Sequence, residues 1–164
     1  LDALPDLARR AGRMSLRVCT RAEAEREIDA LTRRGGRLVA QGEPDYPQTL
    51  LAADTAPPLL ALRGSAEVLG RPTIAIVGSR NASASGGAFT ERFAAELGRA
   101  GYAIVSGLAR GIDTRAHRAA LPTGTIAVLA GGHDRVYPSE NEPLLERIVA
   151  EGGAALTEMP VGWE

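Results

Sequence analysis

Three segments of the sequence combine glycine with polar side chains, and each follows an apolar run typical of a buried strand. Arginine forks and exposed backbone amides bind anions such as phosphate, and glycine leaves those amides uncovered. Because parallel strands end at one edge of a sheet, we expect the three segments to face a common crevice. They are Gly78-Ser79-Arg80, Ser106-Gly107 through Gly111-Ile112-Asp113, and Gly131-Gly132-His133-Asp134, with Arg80 and Arg110 placed to bind a phosphate.

Each segment also has a purely structural interpretation, because glycine-rich turns after strands are often only tight turns. Asp113 is most simply a helix N-cap. His117 lies four residues later and would make a local hydrogen bond with Asp113. Arg115 and Arg118 fit a solvated helix face. Three such segments together, two of them with arginine, nevertheless favour phosphate binding.

The same segments show no pattern typical of catalysis, so we predict no catalytic residue, no metal ligand and no cofactor. Ser79 and Ser106 lack the G-x-S-x-G context of a hydrolase nucleophile. The sequence has neither a Walker lysine nor a complete G-x-G-x-x-G. His133 beside Asp134 is a single pair and does not form a metal-ligand cluster.

Composition narrows the class of protein. The chain has 164 residues, a formal net charge of −1 and 4% aromatic residues, which argues against a broad basic footprint or an extended base-stacking platform. All 19 basic residues are arginine.

The single Cys19 fits a reducing compartment, and no segment resembles a membrane span or a secretory signal, so we predict a cytoplasmic protein. Because it begins at Leu1 and ends abruptly at Glu164, we expect a longer parent protein.

Residues 1–70 are predicted to form a small helical unit and an extended lead-in segment. Residues 1–19 fit the end of a helical unit, and Thr20 with Glu23 forms a capping box for a helix that continues to about Arg34. A short strand is expected at 37–40. The prolines at 57 and 58 favour extended structure, so 59–62 is predicted to be an edge strand.

Residues 71–164 alternate strands with helices, which predicts an α/β fold with a doubly wound parallel sheet. We expect the first strand to be covered on both faces and the first helix to bury Phe89, Phe93 and Leu97. Ser139 and Glu142 form a second capping box, which predicts a third helix. The predicted strands are 73–77, 102–105, 125–129 and 154–157, and the first two helices are 85–100 and 114–121. Four strands are few for such a sheet, so we expect its C-terminal part to lie outside the chain.

The blocks IAIVGSR, YAIVSGLARGIDTRAHRAAL, GTIAVLAGGHDRVYPSEN and LTEMP, in this order, resemble the bacterial DNA-processing protein A family, also called Smf. The resemblance covers residues 42–160, and ALPDLARRAG resembles the end of the family's helical, SAM-like N-terminal domain. It implies a Rossmann-like domain that binds single-stranded DNA without catalysis. It further implies a homodimer that protects incoming DNA in natural transformation and loads the RecA recombinase onto it.

The resemblance also assigns residues to the DNA site. Arg80 of the G-S-R motif is the implied principal phosphate contact, and Arg110 lines the same pocket. Ser139 stands where some members have a basic residue. The family's later F-P-x-R-N-R-I-I motif and its C-terminal winged-helix-like domain are absent from this sequence. The implied DNA- and phosphate-binding set is Gly78, Ser79, Arg80, Ser106, Gly107, Arg110, Gly111, Gly131, Gly132, Tyr137 and Asn141.

Two other functions would use the same crevice. Cytokinin-activating phosphoribohydrolases have a related pocket and cleave nucleotide N-glycosidic bonds, but they carry a P-G-G-x-G-T-x-x-E block. The comparable loop here reads AGGHDRVYPSEN and lacks the G-T-x-x-E continuation. The other alternative is a small-nucleotide sensor.

Overall fold

The computed structural model describes residue 10 and residues 18–163. Residues 18–163 form one six-stranded sheet with four α-helices, which we number in chain order. The α/β fold class predicted from the sequence is confirmed. The strands are β1 Gly36–Ala40, β2 Leu59–Gly64, β3 Thr73–Ala75, β4 Ala103–Ser106, β5 Thr125–Val128 and β6 Ala154–Thr157, and the helices are α1 Arg21–Thr32, α2 Ala84–Arg99, α3 Ile112–Ala120 and α4 Glu142–Ala150.

The strand order is β1-β2-β6-β5-β4-β3. The four strands from β3 to β6 are parallel neighbours, as predicted from their alternation with helices. β2 pairs antiparallel with both β1 and β6. This arrangement places the carboxyl ends of β3, β4 and β5 at one edge of the sheet, where ligands bind in open α/β folds.

The central strands β5 and β6 have apolar clusters on both faces, and only Val128 at the end of β5 is exposed, at 46%. Successive residues of a strand point to opposite faces, and Ile126 and Ala127 of β5 belong to two different apolar clusters. Ala154 and Ala155 of β6 divide in the same way. The cluster that contains Ala127 and Ala155 includes residues of α4, so this helix covers one face of the sheet. Short apolar runs of this kind are typical of parallel strands buried on both sides.

The strand β3 is less covered than predicted. It lies at the edge of the sheet and spans only three residues, and Val77, which follows it, is 75% exposed. The prediction that the run 73–77 is covered on both faces is therefore wrong for the described residues. Its apolar composition resembles that of β5, but β3 has a neighbouring strand on one side only.

The buried face of α2 also differs from the prediction. Phe89 and Phe93 are 58% and 42% exposed and stack on each other with ring centroids 5.5 Å apart, so the prediction that they are buried is wrong. Leu97 is partly buried. The helix instead buries small residues. Two of them are glycines that allow a close approach, because a Cβ atom at Gly87 would collide with Arg115 on α3 and one at Gly98 would collide with Thr123 after α3. The buried residues are Gly87, Thr90, Ala94 and Gly98.

The strand predicted as an edge at 59–62 is an internal strand. β2 lies between β1 and β6 and buries Leu60 and Leu62. The two prolines precede the strand, so its amides remain free to pair on both sides. The sheet therefore runs across the predicted domain boundary at residues 70 and 71, and the division into two domains stays a prediction.

The two predicted capping boxes have different outcomes. Thr20 Oγ1 accepts a hydrogen bond from the Glu23 amide at 3.2 Å and Glu23 Oε2 accepts one from the Thr20 amide at 2.8 Å, which confirms the first box. The second is wrong, because Ser139 begins a separate 3₁₀ turn and the helix α4 starts at Glu142 with Asn141 at its N-cap and no side-chain cap.

The helical unit predicted for residues 1–19 falls largely on residues 1–9 and 11–17, which lie outside the described part of the chain. None of the described helices combines the length and the apolar character that crossing a membrane requires.

Candidate functional site

The loops that follow β3 and β4 touch each other through glycines. A Cβ atom at Gly78 would lie 2.8 Å from Ile112 Cγ1, and one at Gly111, which has φ +76°, would lie 2.2 Å from the Ser79 carbonyl oxygen. The Ile112 amide donates a hydrogen bond to that oxygen at 3.2 Å. These glycines therefore allow two loops to pack closely, in addition to any amides they expose.

This contact places Arg80 beside two adjoining depressions of about 510 and 390 Å³. Both depressions are lined by Arg80, Asn81 and Arg110, so they form one continuous surface. We call it the arginine groove. Its larger part extends to Arg115 and Arg118 on α3, and its smaller part extends to Tyr137 and Pro138.

Two of the four arginines in the groove are paired with carboxylates. Arg110 Nε and Nη2 donate to the two Glu140 oxygens, each at 2.8 Å, and this hydrogen-bonded pair lowers the pKa of Glu140 and raises the pKa of Arg110. Arg115 Nη1 lies 2.5 Å from Glu91 Oε1. Both ion pairs are about half exposed, so solvent weakens them.

The remaining two arginines, Arg80 and Arg118, are exposed and make no side-chain hydrogen bond or ion pair with any described residue. With four arginines and two glutamates in its lining, the groove carries a formal charge of +2, although the whole chain carries −1. The groove can therefore bind an anion of charge one or two through guanidinium forks.

The loop after β4 is held by two side chains beneath the groove. Asn141 is buried, and its Nδ2 donates to the Leu108 carbonyl at 2.8 Å and to Thr114 Oγ1 at 2.9 Å. Leu108 has φ +60°, which is uncommon outside glycine and requires this support. Asp113 Oδ2 accepts from the Gly107 amide at 3.1 Å. The prediction that Asp113 caps the helix is wrong, because α3 begins at Ile112 with Gly111 at the N-cap.

Several residues predicted for the site lie outside the groove. Ser106 is buried, and its hydroxyl donates to the Ile76 carbonyl at 2.6 Å, which ties β4 to the end of β3. The Gly107 amide already donates to Asp113. Gly131 and Gly132 are buried against residues 160–163, and the Gly132 amide donates to the Trp163 carbonyl at 3.0 Å. The third loop instead reaches the groove through Tyr137, Pro138, Glu140 and Asn141.

Both histidines are buried and structural. His117 Nδ1 lies 2.8 Å from Thr125 Oγ1, and burial lowers the pKa of His117 to about 4 although the charge of Asp113 opposes the shift. His133 Nε2 lies 3.1 Å from the Ala61 carbonyl, and burial again lowers its pKa. Neither lines the arginine groove. Within residue 10 and residues 18–163, no group of His, Cys, Asp and Glu has the geometry of a metal site.

The part of the groove formed by α2 and α3 was not predicted from the sequence. Arg118 is exposed and Arg115 is partly exposed, as expected for a solvated helix face, but both also line the same surface as Arg80, together with Glu91. Their spacing of three residues on the helix that follows the second loop was the available signal, because residues i and i+3 share a helix face.

The sequence matches two family models. Residues 37–164 match the model described as DNA recombination-mediator protein A, and residues 1–30 match the model described as the DprA-like N-terminal HHH domain. Together these matches cover most of the chain.

Among curated relatives, the chain is 39% identical over 176 aligned positions to a putative DNA processing protein DprA of Mycobacterium tuberculosis H37Rv, covering 93% of the chain and 45% of that protein. It is 40% identical over 132 positions to protein Smf of Synechocystis, covering 77% of the chain and 33% of that protein. The chain thus spans less than half the length of these relatives.

Two solved structures share the fold. The X-ray structure of DprA from Streptococcus pneumoniae superposes with a TM-score of 0.77 at 34% identity and covers 89% of this chain and 50% of that one. DprA from Helicobacter pylori, described for its single-stranded DNA binding mode, superposes with a TM-score of 0.69 at 29% identity and covers 77% of this chain and 58% of that one.

Proposed function

Because the chain belongs to the DNA recombination-mediator protein A family, we propose that it binds single-stranded DNA through the arginine groove. The observation that carries the proposal is Arg80, an exposed arginine without a side-chain partner among the described residues. The loop contact through Gly78 and Gly111 positions it beside the groove. A DNA phosphate would supply the anion that this guanidinium lacks.

The groove divides the predicted DNA-binding residues into two roles. Arg80, Arg110 and Tyr137 would touch the strand, since all three line the groove and Tyr137 is 69% exposed. An exposed aromatic ring beside a phosphate site can stack on a base without selecting its sequence. The other predicted residues would support these contacts through packing and hydrogen bonds, as Asn141 does through Leu108 and Thr114. They are Gly78, Ser79, Ser106, Gly107, Gly111, Gly131 and Gly132.

The proposal includes a binding role without catalysis. The groove offers guanidinium groups, amides and a phenol, which suit anion binding, whereas both imidazoles are buried away from it with lowered pKa values. On the strength of the family resemblance, we further propose a cytoplasmic homodimer that protects incoming single strands in natural transformation and loads RecA onto them. Dimerisation would raise the avidity for one strand that spans two grooves.

The binding proposal is tested by fluorescence anisotropy with labelled oligo-dT and a duplex of equal length across a salt series. We expect tighter, salt-sensitive binding to the single strand, and a loss of about tenfold in affinity for Arg80→Ala at low salt. Arg99→Ala is the matched control, because Arg99 is exposed on α2 and lines neither part of the groove. Equal affinity of wild type and Arg80→Ala would refute the assignment.

The finer roles need separate measurements. RecA filament assembly on coated single strands should accelerate with the wild-type protein and not with Arg80→Ala. Sedimentation across a concentration range reports the dimer. Release of free base from nucleoside monophosphates, or thermal stabilisation by a nucleotide without any by oligonucleotides, would instead support an enzyme or a nucleotide sensor.

A further inference from the structure

The arginine groove continues past Arg80 onto the helix α3. Arg80 borders both parts of the groove, with Tyr137 in the smaller part and Arg118 in the larger part. Arg118 is exposed and has no side-chain partner among the described residues. It is the second of two unpaired guanidinium groups in this surface.

Arg115, the other arginine of α3 in the groove, packs between α3 and α2. Its guanidinium lies 2.5 Å from Glu91 Oε1 on α2. Its side chain also covers Gly87, where a Cβ atom would lie 2.5 Å from Arg115 Nε. Arg115 therefore forms part of the wall of the groove, and Arg118 is left as the free cation of α3.

The charges of the groove match two phosphates better than one. The two glutamates offset two of the four arginines, and the remaining charge of +2 belongs to Arg80 and Arg118. A phosphodiester carries a single negative charge, so one internal phosphate would neutralise only one of them. An extended single strand presents successive phosphates along its length.

We propose that Arg118 binds a second backbone phosphate of the strand whose neighbouring part is held by Arg80, so that the strand runs from Tyr137 across Arg80 towards α3. This inference rests on the proposed function and adds the direction of the strand and a phosphate contact on α3. Phosphate contacts carry no base preference, so Arg118 contributes to affinity and to its salt dependence.

The test compares wild type, Arg80→Gln, Arg118→Gln and the double variant in oligo-dT binding between 50 and 200 mM salt. Each lost contact with a single strand should reduce the slope of log K against log[salt] by about 0.7, and the double variant by about 1.4. The ratio of wild-type to single-variant affinity should therefore fall about 2.6-fold over this salt range. Arg118→Lys should retain the wild-type slope, Arg99→Gln is the exposed control, and thermal unfolding confirms that the variants are folded.

The outcomes separate the two proposals. If wild type does not bind oligo-dT, the proposed function fails. If wild type binds and Arg118→Gln keeps the slope of Arg99→Gln, only the second phosphate contact is overturned. A weaker affinity with an unchanged slope also overturns it, because the effect of Arg118 would then arise from packing and not from a phosphate.

Discussion

At the scale of single residues, Glu140 pairs with the guanidinium of Arg110, which was predicted from the sequence to bind phosphate. The two carboxylate oxygens of Glu140 accept hydrogen bonds from Nε and Nη2 of Arg110. The adjacent Asn141 is anchored to the loop after β4, which holds the turn with Glu140 in place. The carboxylate thus lowers the charge of the groove and competes with any phosphate for Arg110.

We predict that Glu140→Gln tightens the binding of single-stranded DNA and increases its salt dependence. The change removes one negative charge and frees a guanidinium, which adds up to about 0.7 to the magnitude of the salt slope. The free energy of unfolding should change little, because the pair is half exposed and solvent screens it. Glu151→Gln, which breaks the exposed Arg147–Glu151 pair at the end of α4, is the control. Weaker binding by Glu140→Gln would mean that Glu140 orients Arg110 for the strand.

We predict that His117 remains neutral in the folded protein down to about pH 4, because its burial lowers the pKa to about 4. NMR titration should show no transition near pH 6.5 for the His117 imidazole and a transition below pH 6.5 for the His133 imidazole, and His133→Gln assigns the His117 signals. A transition between pH 6 and 7 for His117 would contradict its burial.

The same shift makes stability depend on pH. Between about pH 6.5 and pH 4, His117 binds a proton in the unfolded chain but not in the folded chain. The free energy of unfolding therefore falls as the pH decreases towards 4. Once the pH is below about 4, the lowered pKa of His117 has reduced the free energy of unfolding by about 3 kcal/mol in total. Burial of His133 adds in the same direction. Urea unfolding at pH 7 and pH 5 should therefore show a smaller loss for His117→Gln than for wild type.

At the scale of elements, the two loops behind Arg80 depend on each other. Gly111 combines a positive φ with a close approach to Ser79, so a side chain there meets both backbone strain and a collision. Gly42 offers a matched comparison, since it has φ +91° and no atom within 4 Å of a Cβ position.

We predict that Gly111→Ala lowers the free energy of unfolding by about 3 kcal/mol and weakens binding of the single strand, whereas Gly42→Ala costs about 1 kcal/mol and leaves binding unchanged. Both variants place a side chain at a positive φ, and only Gly111→Ala also disturbs the contact between the loops. Urea unfolding and oligo-dT anisotropy measure the two effects. Equal losses of stability for Gly111→Ala and Gly42→Ala would show that the contact between the two loops contributes little to stability.

The helices and strands that were predicted correctly from the sequence are those whose signals lie within a few neighbouring residues. The capping box at Thr20 and the apolar runs of β5 and β6, each preceded by glycine, involve residues close in the chain. The side of α2 that faces the core was not predictable in this way. It depends on α3, whose close approach selects small residues such as Gly87 and leaves the large Phe89 outside.

The site was predicted in part for the same reason. Arg80 and Arg110 follow strands, so the rule for parallel sheets brings them together. That Glu140 pairs with Arg110, and that Arg118 belongs to the groove, depends on where distant segments meet. Gly131 and Gly132 illustrate the opposite case, since they have the composition of a phosphate loop but pack against residues 160–163.

At the scale of the whole molecule, apolar surface is exposed beside the edge of the sheet. The strand β3 has one neighbour, Val77 after it is 75% exposed, and α2 presents the stacked pair Phe89 and Phe93. Unpaired strand edges and contiguous apolar patches promote association between chains. Single exposed apolar residues such as Leu51, at 43%, are ordinary and have little effect.

We predict that replacing both Phe89 and Phe93 with Ser reduces the self-association of this 164-residue chain and lowers its stability by no more than about 2 kcal/mol, because the residues are 58% and 42% exposed and lose mainly their stacking on each other. Light scattering across a concentration range measures the association, and urea unfolding measures the stability. Leu51→Ser should change neither, whereas Leu145→Ser, at a fully buried position, should cost several kcal/mol, on the order of 3. A comparably large loss for the phenylalanine variant would place the aromatic pair in the core and contradict the exposed face of α2.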